Sequence, residues 1–267
     1  MKNPIGIFDS GVGGLTVFRE IRRRFPYEDI IYFGDTARVP YGPKSPETII
    51  QYSIQNARFL LQNRAKIIVV ACNTASALAL PVLQELLPVP VIGVIQPGAQ
   101  AAVASSKNKK IGIIGTYGTV NSKAYQKAIH ILDPEIEVLA KACPLFVPLV
   151  EEGWEDHVVT HQIAGEYLKP FINTDYDTLI LGCTHYPILK ETLKTVTEDK
   201  INLIDSAEVI ADCLAAELPE CESTETGKDL FYVSDNEEKF GRIASRITGT
   251  NLEFLQKVIL GESWFIK

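Results

Sequence analysis

Ile67-Ile68-Val69-Val70-Ala71-Cys72-Asn73-Thr74 and Thr178-Leu179-Ile180-Leu181-Gly182-Cys183-Thr184-His185 follow one pattern, set down twice in the chain. Each begins with apolar or β-branched residues that do not alternate with polar ones, the mark of a strand buried on both faces of a parallel sheet. Each ends in a cysteine followed by small hydroxyl or amide residues. Helical periodicity then resumes, over Ala75–Leu87 in the first case and Ile188–Val196 in the second. The carboxyl end of a buried strand is where open α/β sheets place their chemistry. One such cysteine in each half of the chain suggests a thiol on either side of a shared cleft. Two opposed thiols can take a proton from one face of a carbon and deliver one to the other.

Working outward, strand and helix signals alternate. Ile5–Phe8 leads to Leu15–Phe25, Ile30–Phe33 to Pro46–Asn63, and Val91–Gly93 to a helix near Gly98–Ser105. The pattern restarts at Lys110–Ile114 with a helix over Ser122–Leu132, then runs through Val138–Ala140, Val159–Ile172 and Thr178–Leu181 to Ile188–Thr197. Alternation at these lengths predicts parallel sheets covered by helices. The restart also reads as an internal repeat. Ile5-Gly6-Ile7-Phe8-Asp9-Ser10-Gly11 is echoed by Ile111-Gly112-Ile113-Ile114-Gly115-Thr116-Tyr117 at an offset of 106 (112 − 6), and the cysteines are offset by 111 (183 − 72). Nearly constant offsets favour a duplicated α/β lobe over chance. The expectation is two pseudo-symmetric lobes, each a mainly parallel sheet flanked by helices, with the active site in the cleft between them. The first lobe is expected to comprise residues 1–97 and 208–267, with Cys72, and the second residues 98–207, with Cys183. The helices Ala207–Glu217 and Glu237–Thr248 would return to the first lobe, and Glu220–Lys228 reads as a polar surface loop.

The composition fits this class. With 267 residues the chain can bury two ordinary cores. A net charge of −7 argues against a general nucleic-acid or anionic-membrane surface. The basic run Arg22-Arg23-Arg24 falls late in a predicted helix, where cations complement the dipole, and reads as a solvated face. Five cysteines with no CxxC spacing fit neither a disulfide framework nor a zinc ribbon. No metal spacing links His130, His157 and His161. Prolines and charges interrupt the most apolar stretch, Leu78–Ile95, so it is not a membrane span. The expected protein is soluble and cytoplasmic, with its thiols reduced.

Several motifs lie at strand ends. Asp9-Ser10-Gly11-Val12-Gly13-Gly14 follows a strand and opens a helix but lacks the third glycine of a dinucleotide fingerprint and any Walker lysine. It is either a tight turn or a nest of backbone N–H groups that receives a small carboxylate, with Asp9 facing the same site. Gly34-Asp35-Thr36 and Pro40-Tyr41-Gly42 are either a turn or a loop lining the substrate. Cys72 and Cys183, each before a helix, would have their thiol pKa lowered by the dipole. Cys143, Cys213 and Cys221 lack that context and read as structural or exposed. His185 stands two residues after Cys183, close enough to assist it. Glu151, in Pro148-Leu149-Val150-Glu151-Glu152-Gly153, is a weaker candidate. No feature of the sequence identifies a Schiff-base lysine with a phosphate cup.

Together, Gly6-Ile7-Phe8-Asp9-Ser10-Gly11-Val12-Gly13-Gly14-Leu15, Gly34-Asp35, Pro40-Tyr41-Gly42, Ala71-Cys72-Asn73-Thr74-Ala75-Ser76 and Leu181-Gly182-Cys183-Thr184-His185-Tyr186-Pro187 closely resemble the glutamate racemases of the aspartate/glutamate racemase superfamily. The Ala-Cys-Asn-Thr block alone indicates only the superfamily; the other motifs narrow it. The resemblance implies interconversion of L- and D-glutamate without cofactor or metal, supplying D-glutamate for peptidoglycan. It implies Cys72 and Cys183 as the two bases, Asp9 assisting the first, and His185 with Glu151 assisting the second. Asp9, Ser10, Pro40, Tyr41, Gly42, Asn73, Thr74, Thr116, Thr184 and His185 would bind glutamate, in a homodimer of unassigned geometry. Rival readings are a racemase for aspartate or a hydantoin, a bilobed amino-acid sensor without turnover, and a thiol–disulfide protein.

Overall fold

The computed structural model describes residues 3–218 and 224–260. In chain order the strands are β1 (Ile5–Asp9), β2 (Ile30–Gly34), β3 (Ile67–Val70), β4 (Val91–Gly93), β5 (Lys110–Gly115), β6 (Glu137–Ala142), β7 (Thr178–Gly182), β8 (Asn202–Asp205), β9 (Asp229–Val233) and β10 (Leu255–Lys257). They form a six-stranded sheet, β10-β9-β2-β1-β3-β4, and a four-stranded one, β6-β5-β7-β8. Every pairing is parallel. The predicted α/β class with two parallel sheets therefore holds.

Helices cover both sheets. They are α1 (Leu15–Arg24), α2 (Pro46–Gln62), α3 (Asn73–Leu86), α4 (Ile95–Ser105), α5 (Tyr117–Ser122), α6 (Ala124–Leu132), α7 (Phe146–Glu151), α8 (Val158–Leu168), α9 (Lys190–Val196), α10 (Ser206–Glu217) and α11 (Glu237–Thr248). The short helices α5 and α7 escape the sequence reading because each is too brief to show a period, and the strands β8, β9 and β10 are not foreseen in it either. The expected helix over Ser122–Leu132 is broken at Lys123, whose φ of 56° is left-handed and separates α5 from α6. The expected helix after Cys183 begins instead as a 3-10 turn, Tyr186–Leu189, and becomes α-helical only at Lys190. Arg22 departs from the solvated-face reading, since it is mostly buried and pairs with Asp229 across to β9. Of the predicted loop, Thr224–Lys228 has no regular structure, whereas residues 220–223, Cys221 among them, lie outside the described residues.

The uninterrupted apolar runs are explained by burial on both faces. Ile5 and Ile7 of β1 join Ile67 and Val69 of β3 in one cluster, while Phe8, Ile68 and Val70 point into another on the opposite face. In the second sheet Leu179 and Leu181 face one core and Ile180 the other. The period of two sets this parity. Full burial of such a side chain contributes roughly 1.5–3 kcal/mol, so the position of each strand end is fixed by several buried residues. Phe240, Ile243, Ala244 and Ile247 of α11, and Ala207, Ile210 and Leu214 of α10, pack with the β1 face of the first sheet.

Strand order reverses beside the central strand of each sheet. From β1 the chain builds β2 on one side and β3 on the other, and from β5 it builds β6 and β7 likewise. Such switch points open a crevice at the carboxyl ends of the strands. Asp9 and Cys72 emerge at the first crevice; Thr116 and Cys183 emerge at the second.

Candidate active site

On the first sheet, Asp9 closes β1 and is fully buried. Its Oδ2 accepts a hydrogen bond from Gly11 N–H at 2.9 Å, and Gly14 N–H also bonds the carboxylate. The expected nest of N–H groups therefore exists, but the anion it holds is the chain's own. Burial raises the Asp9 carboxyl pKa above its ordinary value, against the opposing pull of His185. Cys72 follows β3 and serves as the N-cap of α3, its Sγ 3.7 Å from Ser10 Oγ. The expected lowering of this thiol does not occur. Burial pushes the Cys72 thiol up to about 12, with the Asp9 carboxylate adding to the effect and outweighing the hydrogen bond from Ala75 N–H. In a site nearly sealed from water, desolvation of a thiolate exceeds what one helix terminus returns.

On the second sheet, Cys183 follows β7 and its Sγ lies 3.8 Å from His185 Nδ1. His185 is 2% exposed, and its Nε2 stands 3.5 Å from Glu151 Oε1. That separation makes an ion-pair contact rather than a good hydrogen bond. Burial opposes a charged imidazole, yet Cys183 and Glu151 together push His185 up to about 10. In return, His185 and then Lys239 hold Glu151 down at about 2, against its burial. Each thiol thus has a different electrostatic neighbour: a carboxylate beside Cys72 and an imidazolium beside Cys183.

The two groups meet across one gap. Thr184 Oγ1 donates to Asp9 Oδ1 at 3.2 Å, and Thr16 Oγ1 donates to Thr184 O at 3.1 Å. Gly13 permits this approach, because a Cβ there would collide with the His185 ring and the Thr184 hydroxyl. On the other flank Gly118 N–H donates to Gly42 O at 2.9 Å, and the Thr74 and Thr116 hydroxyls lie 2.8 Å apart. A cavity of about 370 Å³ runs along Val39, Pro40, Gly42, Thr116 and Val147. It adjoins a narrow one of about 30 Å³ between the two groups, which both cysteines line.

Every residue expected to bind substrate except Asp9 lines this cavity: Ser10, Pro40, Tyr41, Gly42, Asn73, Thr74, Thr116, Thr184 and His185. Asp9 lies behind it, bonded to Thr184. Tyr41 turns its hydroxyl away, to Asp35 and to Asn56 Nδ2 at 2.9 Å, leaving its backbone toward the site. Asn73 receives the Tyr125 hydroxyl on Oδ1 at 2.7 Å, while its buried Nδ2 has no partner. An unsatisfied buried donor beside a cavity suits an anionic ligand. Glu151 stands behind His185, where sequence gave only a weak signal. Val39, Val147 and Lys239 were not foreseen: the valines carry no chemistry, and Lys239 lies 88 residues from the Glu151 it meets. Cys143 is buried and Cys213 half-buried, neither lining the cavity. Among the described residues no cluster of three or more His, Cys, Asp or Glu is disposed to hold a metal ion, and no helix is long and apolar enough to cross a membrane.

The sequence pattern of the Asp/Glu/hydantoin racemase family matches residues 5–214. A glutamate racemase of Geobacter metallireducens is 51% identical over 260 residues, covering 96% of either chain. Among solved structures, a glutamate racemase isoform from Bacillus anthracis is similar with a TM-score of 0.92 at 42% identity, over 96% of this chain and 97% of that one. A Francisella tularensis glutamate racemase in complex with D-glutamate gives 0.91 at 40% identity, over 98% and 100%.

Proposed function

The chain belongs to the Asp/Glu/hydantoin racemase family, and from that premise we propose that it interconverts L- and D-glutamate without a cofactor, with Cys72 and Cys183 as opposed bases. The observation that carries the mechanism is the shared cavity: two thiols, supplied by two sheets, line one narrow space. The choice of glutamate is supported by relatives that bear that name at about 50% identity and by the D-glutamate complex of one structural neighbour.

The α-hydrogen of an amino acid is a weak acid, so its removal needs a placed base and electrostatic support. In the direction from L-glutamate, the Cys183 thiolate takes the proton from Cα and the Cys72 thiol delivers another to the opposite face. Burial and Asp9 keep Cys72 protonated, as a donor must be. His185, charged at neutral pH, supplies positive charge 3.8 Å from the Cys183 sulfur. From D-glutamate the roles reverse, and product release leaves the protonation states exchanged. The unpartnered Asn73 Nδ2, the hydroxyls of Ser10, Thr74, Thr116 and Thr184, and the backbone of Tyr41-Gly42 would hold the substrate carboxylates. Glutamate seated between the thiols would displace water from this narrow space, where the charges that develop are then met by fixed protein dipoles. This reading extends to D-glutamate supply for peptidoglycan and to a cytoplasmic homodimer, as the family resemblance implies.

Circular dichroism tests the proposal. Extensively dialysed, chelator-treated protein is offered each enantiomer of glutamate and of aspartate. Loss of the optical signal with both glutamates, and little with aspartate, is expected. Faster turnover of aspartate, a requirement for an added cofactor, or tight glutamate binding without racemisation would each overturn it.

A further inference from the structure

Glu151 divides its two oxygens between two lobes. Oε1 faces His185 Nε2 at 3.5 Å, and Oε2 accepts a hydrogen bond from Lys239 Nζ at 3.0 Å. Glu151 ends α7, whose Phe146 and Val150 pack with Cys183 in the core of the second sheet. Lys239 belongs to α11, whose Phe240, Ile243, Ala244 and Ile247 pack in the core of the first. Arg246, about two turns further along the same face of α11, adds a hydrogen bond to Val150 O and an ion pair with Glu155 at 3.2 Å. These contacts cross the gap beside a secondary cavity of about 170 Å³ lined by Glu151, Asn236, Lys239 and Phe240. The Lys239 side chain is 41% exposed. Such a pair adds little stability; what it does is fix one carboxylate oxygen so that the other is aimed at the imidazole.

We propose that Lys239 is a positioning residue for the Cys183 half of the reaction, engaging Glu151 on closure and so completing the line Lys239–Glu151–His185–Cys183. The proposal rests on the two-base reading above. Its physical basis is geometric: the Glu151–Lys239 contact joins α7, packed in the core of the second sheet, to α11, packed in the core of the first, so it forms only when the two faces of the cleft are together. Cys72 does not depend on this contact: its near neighbours Ser10 and Asp9 come from its own sheet, and the bond that Asp9 takes across the gap is from Thr184, not from Lys239 or Glu151. Loss of Lys239 therefore falls on one thiol.

Single-base backgrounds expose this. With a β-chloro analogue of glutamate, the surviving thiolate removes the α-proton, the C–Cl bond breaks with its electron pair leaving as chloride, and the enamine hydrolyses to 2-oxoglutarate and ammonia. In a Cys72→Ser protein, elimination from the L-form reads Cys183; in a Cys183→Ser protein, elimination from the D-form reads Cys72. Adding Lys239→Ala is expected to slow the first by about three- to tenfold, the range set by roughly 0.6–1.4 kcal/mol, and to leave the second within twofold. Lys239→Arg should restore at least half of the lost rate. Equal slowing of both eliminations, or no slowing of the first, would overturn the role of Lys239 while leaving the two bases in place. Parent single variants without opposite enantiomer preferences would overturn the two-base reading and this proposal with it.

Discussion

Glu151→Gln keeps the shape of the side chain at the rear of the site and removes one negative charge, so its effects can be worked out with sign. In the folded protein Glu151 is held at about 2 instead of 4.5. At about 1.36 kcal/mol per pH unit the difference corresponds to about 3.4 kcal/mol. The side chain is 16% exposed and its charge is shared between His185 and Lys239, so solvent screening and the cost of desolvating the pair leave about 1–2 kcal/mol for the variant to lose. A depressed carboxylate contributes stability above pH 4.5 and loses it as pH falls through about 2. The raised imidazole of His185 contributes fully below pH 6.5 and loses its share as pH rises through about 10. The deficit of the variant should therefore be largest between pH 4.5 and 6.5 and shrink toward pH 10. Denaturant melts of both proteins at pH 5.5, 8 and 10.5 measure it. NMR titration adds a direct reading, since the chain has only four histidines. One imidazole should titrate near 10 in the parent and about one pH unit or more lower in Glu151→Gln, with turnover down by about tenfold. A deficit of equal size at pH 5.5 and 10.5, or a His185 resonance unmoved by the substitution, would refute the coupling.

Cys72→Ser and Cys183→Ser should each lower racemisation by about a thousandfold or more, because an alcohol is too weak an acid to serve as thiolate did; a polarimetric rate within tenfold of the parent would remove that thiol from the reaction. Asp9→Asn should cut turnover by about tenfold yet leave the melting temperature unchanged or higher, since burial disfavours the charge that is removed and an amide oxygen can still accept from Gly11; a lower melting temperature with intact turnover would make Asp9 structural. Gly13→Ala places a methyl group against His185 and Thr184 of the facing lobe, so kcat should fall by about tenfold or more at a stability cost of roughly 1–3 kcal/mol; an unchanged kcat would mean that the two faces do not need to meet this closely.

The architecture was legible because both cysteine strands are buried on both faces, which leaves an apolar run with no alternation to confuse it. The repeat was legible for a similar reason: Ile5–Asp9 and Ile111–Gly115 occupy equivalent central strands and bear the same packing constraints. Legibility failed where an element is short or where a partner is distant. The helix Phe146–Glu151 spans under two turns, so no period announced it, and Glu151 looked like an ordinary loop acid. Lys239 sits in an amphipathic helix among other charged residues, and only the fold brings it to Glu151. The pKa of Cys72 was misjudged from sequence because a helix N-terminus can be read there and burial cannot.

What the repeat concealed is an asymmetry. Equivalent strands deliver equivalent thiols, but burial and then the Asp9 carboxylate raise the Cys72 thiol, whereas Cys183 stands near the His185 imidazole braced by Glu151 and Lys239. The two enantiomers of glutamate are equal in free energy, so the forward and reverse values of kcat/KM must be equal whatever the site does. The asymmetry can therefore enter only through kcat and KM taken separately. On the two-base proposal, L-glutamate needs Cys183 as base and Cys72 as donor, and D-glutamate needs the opposite protonation state. In that mechanism each turnover leaves the thiols with exchanged protons, and restoring the starting state would run uphill for one direction and downhill for the other. The neighbours of the two sulfurs, rather than their positions in the fold, then decide which direction saturates at the higher rate.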